Sequence, residues 1–304
     1  VNEGEKRRLQ GVLAGTGAYV TWGILPVYWK GLVAVPAMQI LAHRIFWSFG
    51  FLVLCLIVGK QWPEFKKILI DPHKFGRLLF CAVMISINWG TFIWAVNAGL
   101  LVQTSLGYYI NPLLAVLLGI VILHERATPL QYVSFALAGA AVLYLTFGYG
   151  EMPWVALILA VSFALYGLAK KTLQVGSLAG LAVETAILLP FAAGYIIYCE
   201  LGEAPSLLAI SPLVTLLLVL CGVVTATPLL LFAAGANRIS LSTMGFLQYL
   251  SPTLTLLLGV FVYGESFTHR QLLAFSLIWV ALFLYSLPIL RHAFMPDIVN
   301  LEEL

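Results

Sequence analysis

The chain has 304 residues, of which 62% are hydrophobic and 10% charged, with a mean hydropathy of +1.00. A soluble domain is about 25% charged, so this composition excludes a soluble globular protein and points to an integral membrane protein. The net charge of +3 is small, and its distribution is more informative than its size.

Apolar runs of roughly 20 residues suit helices crossing a hydrocarbon core of about 30 Å. They lack the period-two alternation of barrel strands. Ten spans are predicted, at 10–30, 37–59, 75–98, 103–123, 129–148, 153–171, 178–199, 212–235, 241–263 and 269–290. Lys6-Arg7-Arg8 precede the first span without a cleavage-type site, so that span is expected to be a retained anchor. Residues 60–74 read as an amphipathic segment at the membrane surface, with Trp62 as interfacial anchor. Cys55, Cys81, Cys199 and Cys221 lie in apolar runs without CxxC spacing and read as buried hydrophobes.

With the N-terminus inside, the inside segments hold Lys6, Arg7, Arg8, Lys60, Lys66, Lys67, Lys74, Arg77, Arg126, Lys170, Lys171, Arg238 and Arg291, 13 of the 16 basic residues. This bias predicts that both termini face the cytoplasm.

The chain also repeats itself. YYINPLLAVLLGIVILHERATPLQ (108–131) returns 140 residues later as QYLSPTLTLLLGVFVYGESFTHRQ (248–271), with nine identities that include Pro112/Pro252, Gly119/Gly259, Glu125/Glu265, Thr128/Thr268 and Gln131/Gln271. Each Thr-x-x-Gln predicts a capping box on the next helix. Weaker echoes pair Trp22-Gly23 with Tyr166-Gly167 and Trp94-Ala95 with Phe232-Ala233. Two halves follow, 1–148 and 149–304. Five spans per half is an odd number, so the second half should cross the membrane inverted, an architecture of secondary transporters.

Ten spans in two such repeats, with AYVTWGILPVYWK, ILAHRIFWS, NWGTFIWAVN, SLGYYINPLL, GFLQYLSPTL and YGESF, resemble the EamA-type drug/metabolite transporter superfamily, specifically its RarD-like, chloramphenicol-sensitive branch. His124 departs from the Gly that many members carry before the glutamate. The resemblance implies an all-α carrier of the bacterial inner membrane, with spans 1, 3, 4, 6, 8 and 9 around a central cavity. It also implies export of a small organic metabolite or drug. An importer or facilitator of the same fold, a channel and a membrane lipid enzyme are the alternatives; only His124-Glu125-Arg126 offers a cluster for the last.

Among the candidate site residues, Pro112 and Pro252 each free a carbonyl four residues earlier, at Tyr108 and Gln248. Asn111 adds polarity beside the first, and Tyr249 follows Gln248. Those carbonyls are expected to line the substrate path and the prolines to act as bending points. His43 and Arg44 lie within span 2, and Glu184 holds the matching position of span 7. Charges inside spans usually mark function, so these three are gating or coupling candidates. A direct Arg44–Glu184 pair and snorkelling of Arg44 compete with bonding of each inside its own half. Tyr19, Trp22, Asn88, Trp89, Trp94 and Tyr166 supply aromatic surface with polar tips for an amphipathic solute. Glu125 and Glu265 are expected to hold backbone N–H groups at the start of the next helix. No catalytic set, metal-ligand spacing or nucleotide motif is visible, so neither enzyme activity nor a cofactor is expected. The expected partners are a small-molecule substrate and membrane lipid, not nucleic acid.

Overall fold

The computed structural model describes residues 3–97, 101–147, 153–202, 205–262 and 269–294. Among them the chain is helical throughout, joined by short turns. The helices are α1 (Glu3–Lys30), α2 (Ala37–Val58), α3 (Trp62–Ile70), α4 (Pro72–Asn97), α5 (Leu101–Val121), α6 (Pro129–Phe147), α7 (Trp154–Leu173), α8 (Ser177–Leu201), α9 (Pro212–Ala236), α10 (Leu241–Gln248), α11 (Leu250–Leu257) with a π-turn over Leu258–Val262, and α12 (His269–Phe294).

Each predicted span is helical over nearly all of its described residues, but the ninth is broken into α10, α11 and the π-turn. Among the described residues six stretches are long and apolar enough to cross a membrane, and Gly107–Val121, Pro129–Tyr144 and Leu272–Tyr285 are shorter apolar helices. This is a polytopic, all-helical membrane protein. Segment 60–74 folds as α3 and the start of α4 at Pro72. Phe65 and Ile68 of α3 are buried against the core around Ala179 and Ala182 of α8, and Trp62 stacks on Phe65 at 5.1 Å.

Some helix starts carry a local side-chain cap. Thr128 and Gln131 form the expected capping box, with Thr128 N–H donating to Gln131 Oε1 at 2.8 Å. Its counterpart at Thr268, like Glu265, lies outside the described residues. Ser211 and Ser240 cap α9 and α10. Asp71 accepts from the backbone N–H groups of Lys74 and His73. Those bonds, Lys74's first, hold its carboxyl below the ordinary value.

Packing between the helices follows a pattern of exchange. α1 packs on α9 as α4 packs on α7, and α5 packs on α7 as α1 packs on α10 and α11. α2 meets its mate α8, α6 meets α12, and α5 meets α10. The exchange is imperfect, because α2 lies along α9 more extensively than α8 lies along α4. Gly222 permits that approach: an added Cβ would overlap the backbone of Trp47. Small residues allow such contacts in lipid, where apolar burial no longer drives helices together. Ser48 Oγ donates across the joint to the Gly222 carbonyl at 3.2 Å.

The repeated stretch itself folds in two ways. α5 runs unbroken through Pro112. Its mate stops at Gln248, the residue whose carbonyl loses its i+4 donor to Pro252. At the break, Tyr249 donates its hydroxyl to the carbonyl of its own repeat mate, Tyr109, at 3.2 Å.

Candidate functional site

Arg44 reaches the middle of the bundle. Its Nε donates to Thr225 Oγ1 at 3.1 Å. Thr225 is the 14th of the 25 residues of α9, so at 1.5 Å per residue it lies roughly 20 Å from the Pro212 end. The guanidinium carbon lies over two indoles, Trp29 of α1 and Trp89 of α4, each centroid 4.9 Å away. Cation–π contacts of this kind favour the charged form in an apolar setting. Among the described residues no carboxylate pairs with it. Arg44 therefore does not snorkel to a headgroup, and its hydrogen bond crosses into the second half of the chain.

Glu184 is arranged differently. Lys170 of α7 forms an ion pair with its Oε1, and the Tyr166 hydroxyl donates to Oε2 at 3.2 Å. Both charged side chains are buried, with Glu184 3% exposed. Lys170 thus leaves the set of water-facing basic residues in which the charge count placed it. Glu184 and Arg44 do not pair directly.

Glu184 and Thr225, the hydrogen-bond partner of Arg44, both line a small cavity, with Ser48, Trp89, Tyr166 and Thr185 among its other walls. Its volume is about 10 Å³, room for roughly one water. Beside it an aromatic cluster joins Tyr19 and Trp22 of α1 to Phe163 and Tyr166 of α7 and Phe232 of α9, with ring centroids 5.5–6.2 Å apart.

The remaining candidates divide. His43 is turned to the α8–α9 connection. Its Nδ1 accepts from Trp47 Nε1, and its Nε2 lies 3.3 Å from Ser206 Oγ, which in turn donates to Glu200. This is a tie at the bundle's end and not part of the cavity. Asn88 is also a tie, donating to the Leu159 carbonyl and Ser162 Oγ. Trp94 is 60% exposed and does not line the small cavity. Tyr108 contacts Phe92. Asn111 is buried, and its Oδ1 has no donor among the described residues. Gln248 and Tyr249 are buried at the helix break. Pro112 faces α10, where an added Cβ on Gly245 would lie 2.8 Å from the Pro112 carbonyl.

Glu125 holds helix-start N–H groups, but not those of the next helix. It accepts from the backbone of Leu241 and Ser242 and from the Ser242 hydroxyl at 2.6–2.9 Å. This carboxylate at the end of α5 clasps the start of α10 in the other half. A carboxylate suits that position because the first amides of a helix carry unpaired donors and a partial positive charge.

Sequence reasoning missed Thr225, Trp29 and Lys170. A threonine midway along the most apolar span was an available signal for the first. Lys170 gave none, because a Lys-Lys pair at a helix end reads as a solvated face.

The EamA-like transporter family model matches twice, over residues 9–147 and 152–287. The chain is 47% identical to "Uncharacterized transporter YojE" of Bacillus subtilis, covering 91% of this chain and 93% of that one. It is 43% identical to "Protein RarD" of Escherichia coli over 92% and 95%. It is 32% identical to "Chloramphenicol-sensitive protein RarD" of Pseudomonas aeruginosa over 90% and 93%. A solved crystal structure shares the fold with a TM-score of 0.72 at 20% identity, covering 92% of this chain and 98% of that chain.

Proposed function

Because the chain belongs to the EamA-like transporter family, we propose that this membrane transporter exports a small organic metabolite or drug across the bacterial inner membrane by alternating access. The observation that carries this reading is the small cavity at mid-bundle, walled by Glu184 and by Thr225, the partner of Arg44. Pockets for organic solutes are about 300–1,000 Å³, whereas this one is about 10 Å³. A solute can enter only if the helices around it part, and the same helices must close behind it.

Two features supply the moving parts. On one side of the Tyr109–Tyr249 crossing, Glu125 and the Pro112–Gly245 contact hold α5 to α10. On the other side α11 leans on α1, with Thr255 donating to the Gly23 carbonyl at 3.3 Å. Opening at the Glu125 end requires release of that clasp. The exchange of helix contacts between halves, and the double family match, support two inverted copies meeting at the site. Export is the direction that resemblance to drug/metabolite carriers implies, and the basic-residue bias supports cytoplasmic termini.

Solute counterflow in proteoliposomes tests the carrier. Saturable, competable exchange is expected, and uptake that neither saturates nor accelerates with trans solute would make the protein a channel. Reporter fusions at Lys67 and Leu207 should report cytoplasm and exterior respectively.

A further inference from the structure

We infer that Arg44 is the anchor of an anion site, and that the solute it takes is an organic carboxylate with an apolar or aromatic body. The inference rests on the carrier reading and gives its substrate a chemical class. A guanidinium carries five N–H donors, and Arg44 uses its Nε on Thr225. Its cation has no carboxylate partner among the described residues, although it is held at the depth of mid-α9. Such a charge in a membrane is costly unless something completes it.

The surroundings select what that partner is. The guanidinium lies over Trp29 and Trp89, and its N–H donors point in its own plane, so a hydrogen-bonding partner approaches along the planar edge. A planar carboxylate meets such a fork with two parallel hydrogen bonds. One positive charge neutralises a monoanion. Trp89 and Thr225 are shared by Arg44 and the cavity wall, so an anion on the fork directs its body into that cavity. There it would meet Trp22, Phe163 and Phe232 once the cavity widens. The opposite wall offers no rival cationic anchor, because Lys170 is already paired with Glu184.

The test is thermal stability of the purified protein in phosphatidylcholine nanodiscs, with and without phosphatidylglycerol. The probes are benzoate, 3-phenylpropionate and indole-3-acetate, each beside its primary amide. At least one acid should raise the melting temperature while its amide does not. Arg44→Gln should weaken that acid's binding by at least about tenfold, and Arg44→Lys should restore little because an ammonium lacks the fork. Thr225→Val keeps the cation but frees it from its support, and should weaken binding less than Arg44→Gln. If Arg44→Gln does not fold, Arg44→Lys and Thr225→Val carry the test. The inference is overturned if no acid outperforms its amide, if the gain survives the Arg44 variants, or if phosphatidylglycerol alone stabilises through Arg44 and abolishes the acid effect. Counterflow separates the two readings. Arg44-dependent acid binding without counterflow removes the carrier and leaves the site. Counterflow of neutral or cationic solutes without acid binding removes the site and leaves the carrier.

Discussion

Arg44 on α2 and Glu184 on α8 stand 140 residues apart, at matching positions of the two halves; Glu184 lines the small cavity, and Arg44 bonds to Thr225 in its wall. Glu184 is completed from within its own half by Lys170 and Tyr166. Arg44 is held by two indoles and one threonine, with no opposite charge beside it among the described residues. A duplicated scaffold has kept the position and changed the electrostatics. On the proposal that Arg44 anchors the solute, the half whose charge is internally neutralised serves as structure, and the half whose charge is left open answers to the ligand.

The largest expected effect breaks the closed side. Glu184→Gln leaves Lys170 buried without its counter-charge, and removing one partner of such a pair costs about 3–5 kcal/mol. Chemical denaturation in detergent should record that loss, and the double variant Lys170→Met with Glu184→Met should recover most of it. A Glu184→Gln protein as stable as the parent would end the comparison.

Next comes the joint that sets Thr225 under Arg44. Gly222→Ala pushes a methyl into the Trp47 backbone, and overpacking of this kind costs about 1–3 kcal/mol. Transport should fall with stability, since α2 and α9 can no longer meet. Normal transport would mean that the joint does not position the site. A smaller loss, about 1 kcal/mol for a single hydrogen bond, is expected for Tyr249→Phe, which unlinks the repeat mates at the helix crossing. Thermal melts of the two variants rank these effects.

Arg44→Gln should change stability least, because the hydrogen bond and two cation–π contacts it forfeits are offset by removal of a buried charge that has no counter-charge among the described residues. Solute counterflow should nevertheless be lost. The open charge would thereby separate function from stability, whereas the closed one joins them. A variant that transports normally would place the solute elsewhere.

Much of this was legible in the residues. Apolar run length located the helices, and the Pro-Gly-Glu spacing exposed the duplication, because period and spacing are local properties. Partners across the halves were not legible. Glu125 was expected at the neighbouring helix but binds the start of α10, 116 residues away from Leu241. Lys170 was read as solvated because sequence shows where a helix ends, not which way its last turn faces. Proline positions identified where a carbonyl is freed, yet α5 stays whole at Pro112 and its mate breaks before Pro252. Packing against neighbours, not the proline alone, decides that outcome.

Alternation of the two halves can be observed directly. Spin labels at Val121 and Arg238 report separation at the Glu125 end, and labels at Trp94 and Leu257 report the opposite end; these sites are exposed, and the native cysteines would be replaced first. Glu125→Gln weakens the clasp by removing its charge, so the first distance should lengthen and the second shorten. A transported solute should redistribute both populations in opposite senses. Distances that lengthen together, or that ignore both the variant and the solute, would contradict a carrier built from two inverted halves.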